Sequence, residues 1–287
     1  MNLIENVYEI SEELLFSEPM NVMLNETAIS KLARAMKEEG ITKFDIPKIE
    51  NKFLGITIEL VASSINYCYW YGTSTVRPNQ ASSGLMYHEV EKAFKDYSPQ
   101  QYFAFNQCIS DLTKALSLAR FPLLEERKWN LKELIDEDAP GFVREICDGQ
   151  GKNFDTLFQK MIEKFSGFSS DTFLKRASLF FLQLYRKYSW FGEAMKTLHV
   201  PADYQVPKIL KHFNCFYYKD ELTEKIKRSE LIPKHSLEEC QIRAATVIAC
   251  KMLQEETGWN IADIDGWLWL RRKTSNEPFH LTITTDY

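Results

Sequence analysis

The chain has 287 residues, of which 45% are hydrophobic, 26% charged and 13% aromatic. That is ordinary globular composition, at a length that suits one large domain or two intimate lobes. The formal net charge is −5, and the densest basic run is Arg271-Arg272-Lys273. Duplex-binding proteins draw much of their affinity from neutralising phosphates, so this balance argues against a nucleic-acid face and fits a small-molecule partner better than a polymer. None of the six cysteines stands in a C-x-x-C spacing and the five histidines do not cluster with them, so no metal site is expected. The N-terminal stretch carries acids where a signal peptide needs bases, and no apolar run reaches membrane-spanning length. A cytoplasmic chain that does not engage membranes is expected.

Helical periodicity dominates the chain, which makes the expected fold class mainly α. Ala28, Leu32, Ala35 and Met36 form an apolar stripe with Asn25 as its cap. Ile56–Trp70 is apolar and β-branched enough for a strand, but its length favours a buried helix ending near Gly72. The stretch from Glu163 to Tyr188 places Leu174, Ala177, Phe181, Leu184, Tyr185 and Tyr188 on one helical face. A helix is expected from Lys208 towards Phe213, another through Ala244, Val247, Ile248, Lys251 and Met252, and a short one through Ile264, Trp267 and Leu268. Turns fall at Asn79–Gly84, Asp148–Asn153, Gly167–Asp171 and Ser275–Pro278. Gly149-Gln150-Gly151-Lys152 lacks the spacing and the hydroxyl residue of a phosphate loop. The tail from Phe279 alternates and could form a strand. No break is long enough for a flexible linker. The expectation is a single domain over residues 1–287, with lobes at 1–120 and 121–287.

Two places carry candidate chemistry. In His199–Pro207, two prolines bracket Asp203 ahead of a helix. Local sequence alone favours Asp203 as the helix N-cap, with Pro207 in the first turn where no amide donor is needed. The other reading is a carboxylate held still by a rigid loop, opposite a developing cation. In Asp263–Trp269, Asp265 and Trp269 are four apart and share a helical face. An acid beside an indole suits a flat base with N–H donors, although spacing alone favours a solvent-facing Asp265 near a helix start and a core Trp269.

Taken together, several segments resemble the queuosine salvage family. They are residues 62–70 (ASSINYCYW), 121–131 (FPLLEERKWNL), 173–185 (FLKRASLFFLQLY), 201–213 (PADYQVPKILKHF), 237–245 (LEECQIRAA) and 265–269 (DGWLW), then 278–280 (PFH) and Tyr287. Their order and spacing agree over most of the chain. The resemblance implies a helical fold similar to DNA glycosylases and hydrolysis of queuosine 5'-phosphate, with no cofactor. It implies that Asp203 is nucleophile or transition-state stabiliser and that Asp265 contacts the base. Pro201, Gly266 and Leu270 fall at further base-lining positions, and Tyr204 or Trp269 would wall the ring. Lys175 would take the 5'-phosphate, and Asn66 and Trp70 would complete the pocket. The expected partner is a small nucleotide, and the expected state a monomer.

The departures concern the base. The family has an aromatic residue where Pro201 stands, a tyrosine at Gly266, an aspartate at Leu270 and a glutamate at Gln241. It also has a histidine in the N-terminal region, whereas the first histidine here is His88. A different deazaguanine nucleotide therefore stays open as substrate. So do two other functions: a non-catalytic protein that binds such a nucleotide, and a base-excision glycosylase acting on DNA or RNA.

Overall fold

The computed structural model describes residues 2–42, 46–71, 81–98 and 102–287. The chain is mainly α-helical, as its periodicity predicts. It divides into two compact units, one made of Met1–Asp45 with Gly192–Ile283 and the other of Ile46–Phe191 with Thr284–Tyr287. The divide does not fall at residue 120, because the first two helices pack on a C-terminal helix and not on their sequence neighbours.

In the first unit, α1 (Leu3–Leu15) and α2 (Glu26–Glu39) lie against α13 (Leu237–Thr257). The Asn25 side chain accepts from the Ala28 amide and caps α2. The buried stripe of α2 is Ile29, Leu32, Ala33 and Met36, with Ala28 and Ala35 at its half-buried edge. Every residue of α13 from Gln241 to Cys250 is buried, the pattern of a helix enclosed by protein on all sides. Two shorter helices, α11 (Gln205–His212) and α14 (Ile261–Leu270), each pack on α13 and on one another. The strand β1 (Val22–Leu24) pairs antiparallel with β2 (Phe216–Tyr218), which leads into α12 (Asp220–Lys227). The alternating tail does not form a strand. Its one ladder contact in this unit is a parallel bridge between Leu281 and Leu231, and His280, Leu281 and Thr282 are buried in succession.

The second unit is built on α3 (Lys52–Ser64), whose residues Gly55–Ser64 are all buried. Around it pack α4 (Ser83–Ala93), α6 (Leu124–Asp136), α7 (Ala139–Gly149) and α10 (Lys175–Tyr188). Next, α5 (Tyr102–Leu118) joins α4 to α6. The helix α3 stops at Ser64, well before the expected end near Gly72, a residue outside those described, as are Asn79 and Gln80 of the turn expected at Asn79–Gly84. Beyond it the backbone turns irregular, and Cys68 takes a positive φ of 25°. The carbonyls of Ile65, Tyr67 and Cys68 accept from Arg127 of α6 in place of helical amides. The run Glu163–Tyr188 is likewise three pieces: α8 (Phe154–Lys164), the single turn α9 (Ser166–Ser169), and α10. Asp171 makes the break by accepting from the amides of Phe173 and Lys175. Gly151 follows α7 at φ +82°, where a Cβ would lie 2.7 Å from the Trp190 side chain. Among the described residues, no helix is long and apolar enough to cross a membrane.

Candidate active site

The first unit holds Asp203 at the start of α11. Its Oδ1 accepts from the amides of Gln205 at 2.7 Å and Val206 at 3.1 Å. The capping expected from local sequence is therefore made, and it also fixes the carboxylate against the helix end. Val200, Pro201 and Ala202 are buried and Asp203 is half-buried, so a packed loop carries the acid to the surface. Tyr204 is nearly buried and lies against Phe279, ring centroids 4.9 Å apart and tilted by 43°.

Helix α14 supplies the second acid. Asn260 caps it by accepting from the amides of Ala262 and Asp263. Asp265 and Gly266 are buried at its middle. Burial raises the thiol pKa of Cys250 on α13, and the Asp265 charge raises it further. Trp269 is half-buried, and the Arg272 guanidinium lies 3.1 Å from its ring centre. One indole face is thus covered by a cation. Leu270 ends the helix, 38% exposed. The packing of α11 on α14 brings the elements bearing Asp203 and Asp265 together.

Asn66, Trp70 and Lys175 belong to the second unit. The Lys175 ammonium, buried, donates to the Asn66 carbonyl at 3.0 Å, so these two do meet. The Asn66 side chain accepts from the Tyr69 hydroxyl at 2.8 Å, and Trp70 is buried.

Several buried charged residues were not singled out from the sequence. Arg243 on α13 is 1% exposed, donates from Nε to the Ala202 carbonyl at 3.1 Å, and pairs with Glu239 at 3.5 Å. Glu239 in turn accepts from the His235 amide. Burial, helped by the Arg243 charge, lowers the pKa of His280 to about 3, so its imidazole is neutral. The available signal was a lone arginine in the apolar run Ile242–Ala249. Gln241, where the resemblance implies a glutamate, donates to the carbonyls of Leu14 and Ser17 and accepts from the Asn21 amide. A carboxylate cannot make those two donations, so glutamine here ties down the chain after α1.

A model of the family described as queuosine salvage protein matches residues 56–286. A queuosine 5'-phosphate N-glycosylase/hydrolase of Dictyostelium discoideum is 26% identical over 273 residues, covering 85% of this chain and 82% of that protein. The Sphaerobacter thermophilus protein of that name is 26% identical over 261 residues, covering 79% of this chain and 80% of its own length. The corresponding Mus musculus protein is 23% identical over 255 residues, covering 79% of this chain and 72% of its own.

Proposed function

Because the chain belongs to the queuosine salvage protein family, we propose that it is an N-glycosyl hydrolase acting on queuosine 5'-phosphate or a closely related 7-deazaguanine nucleotide. The observation that carries the reading is Asp203: a half-buried carboxylate, oriented by two amides at the start of α11, next to the helix that bears Asp265.

The chemistry explains why an acid is needed there. An ordinary purine leaves more easily once N7 is protonated. A 7-deazapurine has carbon at that position, so positive charge must be stabilised on the ribose as the bond to the base breaks. The electron pair of that bond departs with the base. Asp203 offsets the oxocarbenium charge or attacks C1', as carboxylates do in glycoside hydrolysis. Water supplies hydroxide to C1' and a proton to the base, giving free base and ribose 5-phosphate. Asp265 accepts N–H bonds from the guanine-like edge.

Incubating the full chain with queuosine 5'-phosphate and following free base by chromatography tests the reading. Release of base is expected, and binding without release would instead favour a non-catalytic nucleotide-binding protein. Asp203→Asn keeps the amide caps through its own side-chain oxygen and should fold. It is expected to lose on the order of a hundredfold to a thousandfold in turnover. Near-normal turnover would remove Asp203 from the mechanism.

A further inference from the structure

We propose that Arg243 is a positioning residue for Asp203, holding the peptide that precedes the acid so that the carboxylate keeps one orientation. This rests on the reading of Asp203 as the catalytic acid.

The Ala202 carbonyl belongs to the peptide unit joining Ala202 to Asp203, and Arg243 Nε donates to it at 3.1 Å. On the far side of Asp203, its own Oδ1 accepts from the amides of Gln205 and Val206. The acid is therefore gripped through backbone on both sides, by the buried core of α13 and by the first turn of α11. A buried guanidinium is costly unless its charge is answered. Glu239, one helical turn earlier and also 1% exposed, answers it at 3.5 Å, and the His235 amide fixes Glu239 from its other oxygen. His280, held neutral by burial, adds no second positive charge beside Arg243. An arginine used only as internal packing would not need to spend a donor on that particular carbonyl. Displacement of a catalytic group by about 1 Å is enough to cost on the order of a hundredfold in rate.

The test is a kinetic cycle with queuosine 5'-phosphate as substrate. It uses full-length wild type, Arg243→Lys, Arg243→Met, Asp203→Asn and Asp203→Asn with Arg243→Lys. Val247→Ala, at another buried α13 position, controls for stability. Arg243→Met is expected to lower kcat about a hundredfold with KM within about threefold. Arg243→Lys, which keeps the charge and one donor, should recover part of that loss. Val247→Ala should lower Tm while keeping kcat per folded molecule. In the Asp203→Asn background, Arg243→Lys should cause no further loss, because its effect runs through the carboxylate. If Arg243→Met does not fold, Arg243→Lys and the cycle still decide. Wild-type kcat in folded Arg243→Met, or in Arg243→Lys where Arg243→Met does not fold, overturns the positioning role alone, as does the same loss from Arg243→Lys in both backgrounds. Normal turnover by Asp203→Asn overturns the catalytic assignment on which it rests.

Discussion

Arg127 grips Tyr67 from two directions: its guanidinium lies 4.3 Å from the ring centre, and its Nη2 donates to the Tyr67 carbonyl at 2.5 Å. The same side chain donates to the carbonyls of Ile65, Cys68 and Pro122. The irregular segment after α3 is buried yet has no helix or sheet to satisfy its backbone, and unpaired buried carbonyls are costly. Arg127 supplies their donors.

Arg127→Met should therefore be among the most damaging single changes in the second unit. It leaves several buried acceptors without a donor, at an expected cost of about 3 kcal/mol or more. Arg127→Lys should rescue little, since an ammonium lacks the planar fork that reaches carbonyls in several directions. Urea denaturation checks both variants. A loss below about 1 kcal/mol for Arg127→Met would show that water takes over the donations.

A second buried charge sits on α3. Lys187 of α10 pairs with Glu59 at 2.5 Å, the two side chains being 4% and 1% exposed, and Tyr87 donates to the other Glu59 oxygen at 3.0 Å. Burial, with the adjacent Glu59 carboxylate, raises the Tyr87 pKa well above the ordinary phenol, so its hydroxyl remains a donor. Lys187→Met strands a buried carboxylate and should cost about 3–5 kcal/mol. Adding Glu59→Gln removes the stranded charge and should recover much of the loss. A double-mutant cycle by chemical denaturation measures this coupling. Simple addition of the two single losses would rule out a mutually compensating pair.

His280 gives a pH dependence of known sign. Its folded pKa, about 3, lies below the ordinary histidine value of 6.5, through burial first and the Arg243 charge second. Between those values the unfolded chain binds a proton that the folded chain refuses. Stability is therefore full above pH 6.5 and falls as pH drops towards 3. The limiting slope is about 1.4 kcal/mol per pH unit for one proton. Denaturation midpoints of wild type and His280→Gln from pH 7 to pH 5 check this. The variant should show a shallower decline, and parallel profiles would mean that His280 takes up its proton in the fold.

How much of this was legible beforehand depended on the kind of interaction. Local signals carried through: Asn25 caps α2, Asp203 caps α11, and α14 forms where Ile264, Trp267 and Leu268 share spacing. The tail and the length of α3 depart from their sequence patterns because both depend on distant partners. A strand needs a neighbouring edge, and among the described residues of its own unit the tail meets just a short bridge, Leu281 beside Leu231 with the Ile232 amide donating to the Leu281 carbonyl. The end of α3 is set by Arg127, more than sixty residues away. The candidate acids were visible through ordered resemblance, whereas Arg243 was invisible because its role lies in one carbonyl across the core.

Leu270 offers a way to ask what the altered base shell does. The resemblance implies an aspartate at this position, and queuine carries a secondary amine that is cationic at neutral pH. A leucine cannot answer that charge. Leu270 ends α14 and is 38% exposed, so Leu270→Asp needs no buried space. Its stability cost should stay near 0.5 kcal/mol, with a small further penalty because an acid at a helix C-terminus opposes the dipole. If the queuosine amine lies beside the end of α14, the new carboxylate forms a partly exposed ion pair worth about 1 kcal/mol, a several-fold lower KM at similar kcat. The gain should shrink at high salt. A nucleotide with an uncharged 7-substituent, such as 7-cyano-7-deazaguanosine 5'-phosphate, should gain nothing and is the internal control. If Leu270→Asp leaves KM for queuosine 5'-phosphate unchanged, the amine points elsewhere. If it raises KM for both nucleotides alike, an apolar contact at Leu270 is part of how this chain holds its substrate.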